Sequence, residues 1–73
     1  MLGARYTGVV YVDGKHFTHP NRLMGTADNN RNKVLRELRQ NVRETLTSDY
    51  IGSRTIEFHV CDRKAKQVET VNY

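Results

Sequence analysis

"NNRNKVLRELRQNVRETL", residues 29–46, places Val34, Leu38, Val42 and Leu46 at intervals of four, with Leu35 and Thr45 beside them. That spacing is one apolar stripe of an α-helix. Thr26 or Asp28 is placed to cap the helix by accepting from its free backbone amides. Ser48 to Gly52 ends it, with Gly52 the candidate left-handed residue after the last turn. A stripe of this kind must pack on something, and the sequence on either side is of β type.

Upstream, "RYTGVVYV" (5–12) is rich in aromatic and β-branched residues and runs into Asp13-Gly14 and then "KHFTH". A two-residue Asp-Gly connection between such runs predicts a hairpin, since both turn positions need positive φ. Val10 then faces Phe17 and Val12 faces Lys15, while Tyr11 faces His16 on the other side. Pro20 ends the second strand, and "PNRLMGTADNN" (20–30) reads as a loop. Downstream, "RTIEFHV" (54–60) alternates, sending Ile56, Phe58 and Val60 one way and Glu57, His59 and Cys61 the other. After the polar "DRKA", "KQVETVNY" resumes a β pattern. Three- and four-residue connections place Val68 and Val71 on different faces, and both remain open. The expected fold is α+β: one domain, residues 1–73, with a ββαββ order resembling the β-grasp arrangement and one amphipathic helix on one face of the sheet. In that arrangement both terminal strands are central.

A 73-residue chain folded as one domain removes only roughly 60% of its unfolded surface from water. It has little room for a large concave pocket, so a binding module is the better expectation than an enzyme. Cys61, the single cysteine, cannot form an internal disulfide, which favours the cytoplasm. No apolar run approaches a membrane span, and "MLGARYTG" lacks a signal-peptide core. Paired carboxylates, a glycine-rich phosphate loop and a serine elbow are all missing, so neither catalysis nor a cofactor is expected.

The formal net charge is +4, and it is concentrated. Arg22, Arg31, Lys33, Arg36, Arg39 and Arg43 face only Asp28 and Glu37 in the same stretch, while the remaining charges balance. Such a cluster attracts nucleic acid, anionic lipid or acidic protein. On a wheel of about 100° per residue, Arg36, Arg39 and Arg43 fall within about 60° of each other beside the apolar stripe. Lys33, Glu37, Gln40 and Glu44 form another strip, in which Lys33 can pair with Glu37. The arginine column is either an ordinary solvated face, with stems covering apolar surface, or a surface for phosphates or carboxylates, extended by Arg31 and Arg22.

Tyr11, His16 and His59, with Tyr73, are expected on the uncovered sheet face, where bases can stack or where the rings are merely half-wet. His16, His19, His59 and Cys61 have ligand chemistry, but the β-grasp arrangement puts residues 15–20 and 55–61 on opposite edges, so no metal is expected.

From "MLGARYTGVVYVDGKHF" through the arginine helix to "TIEFHVCDRKAKQVETVNY", the chain resembles the small cytoplasmic regulators with which lytic phages seize host RNA polymerase. The resemblance covers size, charge and general character, with no diagnostic motif. It implies a protein that docks on the catalytic subunits of bacterial RNA polymerase, inhibits initiation and suppresses termination; a monomer is expected. A direct RNA- or DNA-binding module and a small phage assembly subunit are the alternatives.

Overall fold

The computed structural model describes residues 3–73. In chain order the elements are β1 (Tyr6–Val12), β2 (Lys15–His16), β3 (Thr26–Asp28), α1 (Arg31–Thr45), α2 (Ser48–Ser53), β4 (Ile56–Asp62) and β5 (Gln67–Asn72). They make an α+β fold in which α1 covers one face of a five-stranded antiparallel sheet. Asp13 (φ 51) and Gly14 (φ 80) form the tight turn between β1 and β2, with Tyr11 opposite His16 and Val12 opposite Lys15.

The strand order is β2-β1-β4-β5, which corrects the β-grasp arrangement in one respect. β1 pairs with β4 along its whole length, from Tyr6 opposite Asp62 to Val12 opposite Ile56, and β5 lies at the edge instead of beside β1. Antiparallel β1–β4 pairing satisfies the same apolar faces as the parallel β-grasp core, so the alternation in either strand does not distinguish them.

Residues 20–30 are not all loop. Thr26–Asp28 pair with Tyr6–Gly8, sharing the second edge of β1 with β2, and Met24 is buried. The cap of α1 is Asn30 rather than Thr26 or Asp28: its side chain accepts from the Lys33 N–H, while Asp28 Oδ1 accepts from the Asn30 N–H at 2.9 Å. α1 ends at Thr45, and a separate short helix follows, capped by Thr47. Gly52 lies inside α2 and is not left-handed. The β4–β5 connection spans residues 63–66, with Asp62 opposite Gln67. Val71 therefore faces the helix side opposite Phe58, and Val68 lies beside Cys61 on the other face.

The core is the contact of Val34, Leu35, Leu38 and Val42 with Val10, Val12, Ile56, Phe58 and Val60. Gly8 sets how closely α1 sits. A Cβ there would stand 2.6 Å from Leu38 Cδ1 and 2.7 Å from Val34 Cγ1, so only glycine lets the helix settle on β1. Among the described residues no helix is long and apolar enough to cross a membrane.

Candidate partner-binding surface

The basic residues around α1 divide into two groups. Arg31 grips Glu69 of β5 with a two-pronged fork, both bonds 2.7 Å long. Arg22 reaches Glu44 at 2.7 Å, and Lys33 pairs with Asp28 at 3.2 Å instead of Glu37. Glu37 accepts from the Thr26 hydroxyl. These contacts leave their mark on the carboxyls. The Arg31 fork holds Glu69 below its ordinary pKa. Gln40 and then Arg22 do the same for Glu44, and the Asn30 amide and then Lys33 for Asp28. Arg22, Arg31 and Lys33 therefore each have a carboxylate of the chain itself as a partner, on side chains that stay partly exposed.

Arg36, Arg39 and Arg43 differ. None has a carboxylate within 4.0 Å among the described residues. Arg36 and Arg43 are exposed. Arg39 is half-buried, with its guanidinium 5.6 Å from the centre of the Phe58 ring and Nη2 donating to the Asn72 carbonyl over a long 3.4 Å. Most of the chain's acids are already committed, because Arg5 holds Asp62 and Arg54 holds Asp13. Spacings of three and four along α1 put Arg36 and Arg43 in a row with Arg39, whose guanidinium reaches the end of β5 at Asn72. The three arginines cost about 0.2 to 0.5 kcal/mol per like-charged neighbour pair, a repulsion that a carboxylate from another molecule would reverse.

The opposite sheet face carries the aromatic cluster. The rings of Tyr11 and His59 stack at 3.7 Å with 12° between planes, and His16 lies 5.6 Å from Tyr11 on its other side. His59 Nε2 is 3.8 Å from Glu57. Tyr73 does not join this cluster; it packs edge-on against Phe58 on the helix side. Residues 15–20 and 55–61 are not on opposite edges, because β2 and β4 both flank β1. Even so, no group of three or more His, Cys, Asp or Glu side chains among the described residues is placed to hold a metal ion. A shallow apolar groove of about 310 Å³ opens beside β1, between Phe17, Leu23 and Met24.

No protein-family model, no curated protein and no solved structure matches this chain. The free edge of β5 did not figure in the sequence reading, which placed that strand centrally. The signal available was the length of the 63–66 connection, which sets only the register.

Proposed function

We propose that the chain is a non-enzymatic binding module that docks on an acidic partner surface through Arg36, Arg39 and Arg43. The observation that carries this reading is the division of cations around α1: Arg22, Arg31 and Lys33 are neutralised from within, and the row beside them is not. Guanidinium forks bind carboxylates in pairs of parallel hydrogen bonds, which gives register as well as attraction. A standard interface takes about 800 Å² from each partner, a substantial share of the 5039 Å² that this molecule exposes.

The resemblance to phage regulators makes bacterial RNA polymerase the first partner to test, with blocked initiation and suppressed termination as the consequence of docking in the host cytoplasm. The test is retention of purified polymerase on the immobilised protein, compared with the variant Arg36→Glu, Arg39→Gln, Arg43→Glu, which keeps a side-chain stem over Phe58. Retention by the wild type at moderate salt and loss in the variant, with unchanged circular dichroism, supports the reading. Equal retention by both proteins makes the row ordinary solvated surface, and no retention by the wild type removes polymerase as the partner.

Direct nucleic-acid binding is less favoured, because the stackable rings of Tyr11 and His59 and the arginine row lie on opposite faces of the sheet. A single strand cannot engage both without wrapping round an edge. Were it the true mode, log affinity would fall against log salt with a slope of about one per phosphate neutralised.

A further inference from the structure

We propose that the open edge of β5 takes up an extended acidic segment of a partner protein as an added strand, with Arg36, Arg39 and Arg43 holding its carboxylates. This rests on the arginine row being the binding face and specifies how that face is used.

The direction of the β5 backbone follows from the ladder. The Tyr73 N–H donates to the Ile56 carbonyl at 3.0 Å, so Ile56 and Tyr73 form a hydrogen-bonded pair. Such pairs alternate along an antiparallel ladder, which makes Phe58–Val71, Val60–Glu69 and Asp62–Gln67 the next ones. Val68, Thr70 and Asn72 therefore turn their N–H and C=O groups away from β4. No strand among the described residues pairs with that side.

Edges of this length are usually guarded by proline, bulges, inward charges or a covering element. Between Gln67 and Asn72, β5 has only one of these, the helix-side charge of Glu69, and Arg31 neutralises it; the register against β4 is unbroken and proline is absent. Val68 is 68% exposed. The far edge of the sheet offers much less, since β2 and β3 are only two and three residues long.

The arginine row selects the occupant. Arg39 already leans over the edge, touching the Asn72 carbonyl that an added strand would use, and at 3.4 Å it gives that contact up cheaply. Arg31 bonding Glu69 demonstrates that this flank of α1 can grip a carboxylate on the helix side of a strand. Side chains of an added strand alternate between faces. Acidic residues at every second position would lie on the side of the arginines, and β-branched residues between them would lie beside Val68 and Thr70. A second copy of this chain fits worse: two β5 edges paired antiparallel put both helices on the same face, with one arginine row against the other.

The probe is a blocked octapeptide of alternating glutamate and threonine, followed by NMR amide exchange. Its twin carries N-methyl groups on the residues that face the edge, which keeps the charge and removes the strand donors. Slowed exchange at Val68, Thr70 and Asn72, with the twin binding about tenfold or more weaker, is the expected result. Thr70→Pro, which deletes an N–H pointing away from β4, should weaken the peptide similarly, and the N-methyl comparison does not depend on how that variant folds. If both peptides bind alike through the arginines with no protection along β5, strand addition is wrong while the arginine surface stands. Binding that ignores the arginine substitutions overturns both. A β5-paired dimer in sedimentation, or capture of an RNA oligomer but not the peptide, also overturns the proposal.

Discussion

Thr45 sits in the apolar stripe of α1 with its hydroxyl buried and without a hydrogen-bond partner among the described residues. An unsatisfied buried hydroxyl costs about 1–3 kcal/mol, and valine fills nearly the same volume without it. Thr45→Val should raise stability by about 1 kcal/mol, which for a domain of this size lifts the melting temperature by about 4–8 °C. Thermal unfolding followed by circular dichroism reads it, and a lower midpoint would mean that the hydroxyl has a partner. At this scale the sequence was partly transparent. Val34, Leu38 and Val42 announced their burial by spacing, and their neighbours Arg36 and Arg43 their exposure. What spacing could not separate was Arg31 from Arg36, because the carboxylate that distinguishes them, Glu69, lies far along the chain.

Among elements, the contact that fixes the architecture is α1 on β1, and it depends on Gly8. An added methyl must displace Leu38 and Val34, which have no free space to enter because both are fully buried. Gly8→Ala should destabilise the protein by about 1–3 kcal/mol, measured as a lower urea midpoint with an unchanged slope. A neutral result would mean that α1 is free to ride up from the sheet. The Asp13-Gly14 hairpin, α1 and the alternation of β4 were all legible, since each is encoded by residues next to one another. β3 was not: "TAD" has no periodicity, and Thr26–Asp28 become a strand only because the edge of β1 beyond β2 is vacant. Strand order was equally hidden, because an amphipathic strand states which face is buried and not which neighbour it takes.

For the molecule as a whole, the charge network governs behaviour in acid. The Arg5 guanidinium, helped by the amides of Ala65 and Lys64, holds the Asp62 carboxyl at about 2, below its ordinary 3.8. Asp13 is lowered too, by the Thr55 amide and then Arg54, as are Asp28, Glu44 and Glu69. A carboxyl whose folded pKa is depressed stabilises the native state above its unfolded pKa and loses that contribution as pH falls through the folded value. Stability should therefore be flat near neutrality and fall from about pH 4 towards pH 2. Asp62→Asn should lower the neutral plateau and make the acid limb shallower, a change visible in urea midpoints taken across that range. An unaltered limb would mean that the Arg5 pair does not persist in solution.

The pairing of β1 with β4 also determines when this protein can begin to exist. Residues 6–12 are made long before residues 56–62, and until then β1 has only β2, β3 and α1 to pack with. The β1–β4 contact spans most of the chain, and non-local pairing of this kind slows folding through the entropy of closing the loop. Val10 and Val12 therefore reach their full burial only once β4 is in place, and the open edge of β5 forms only after that.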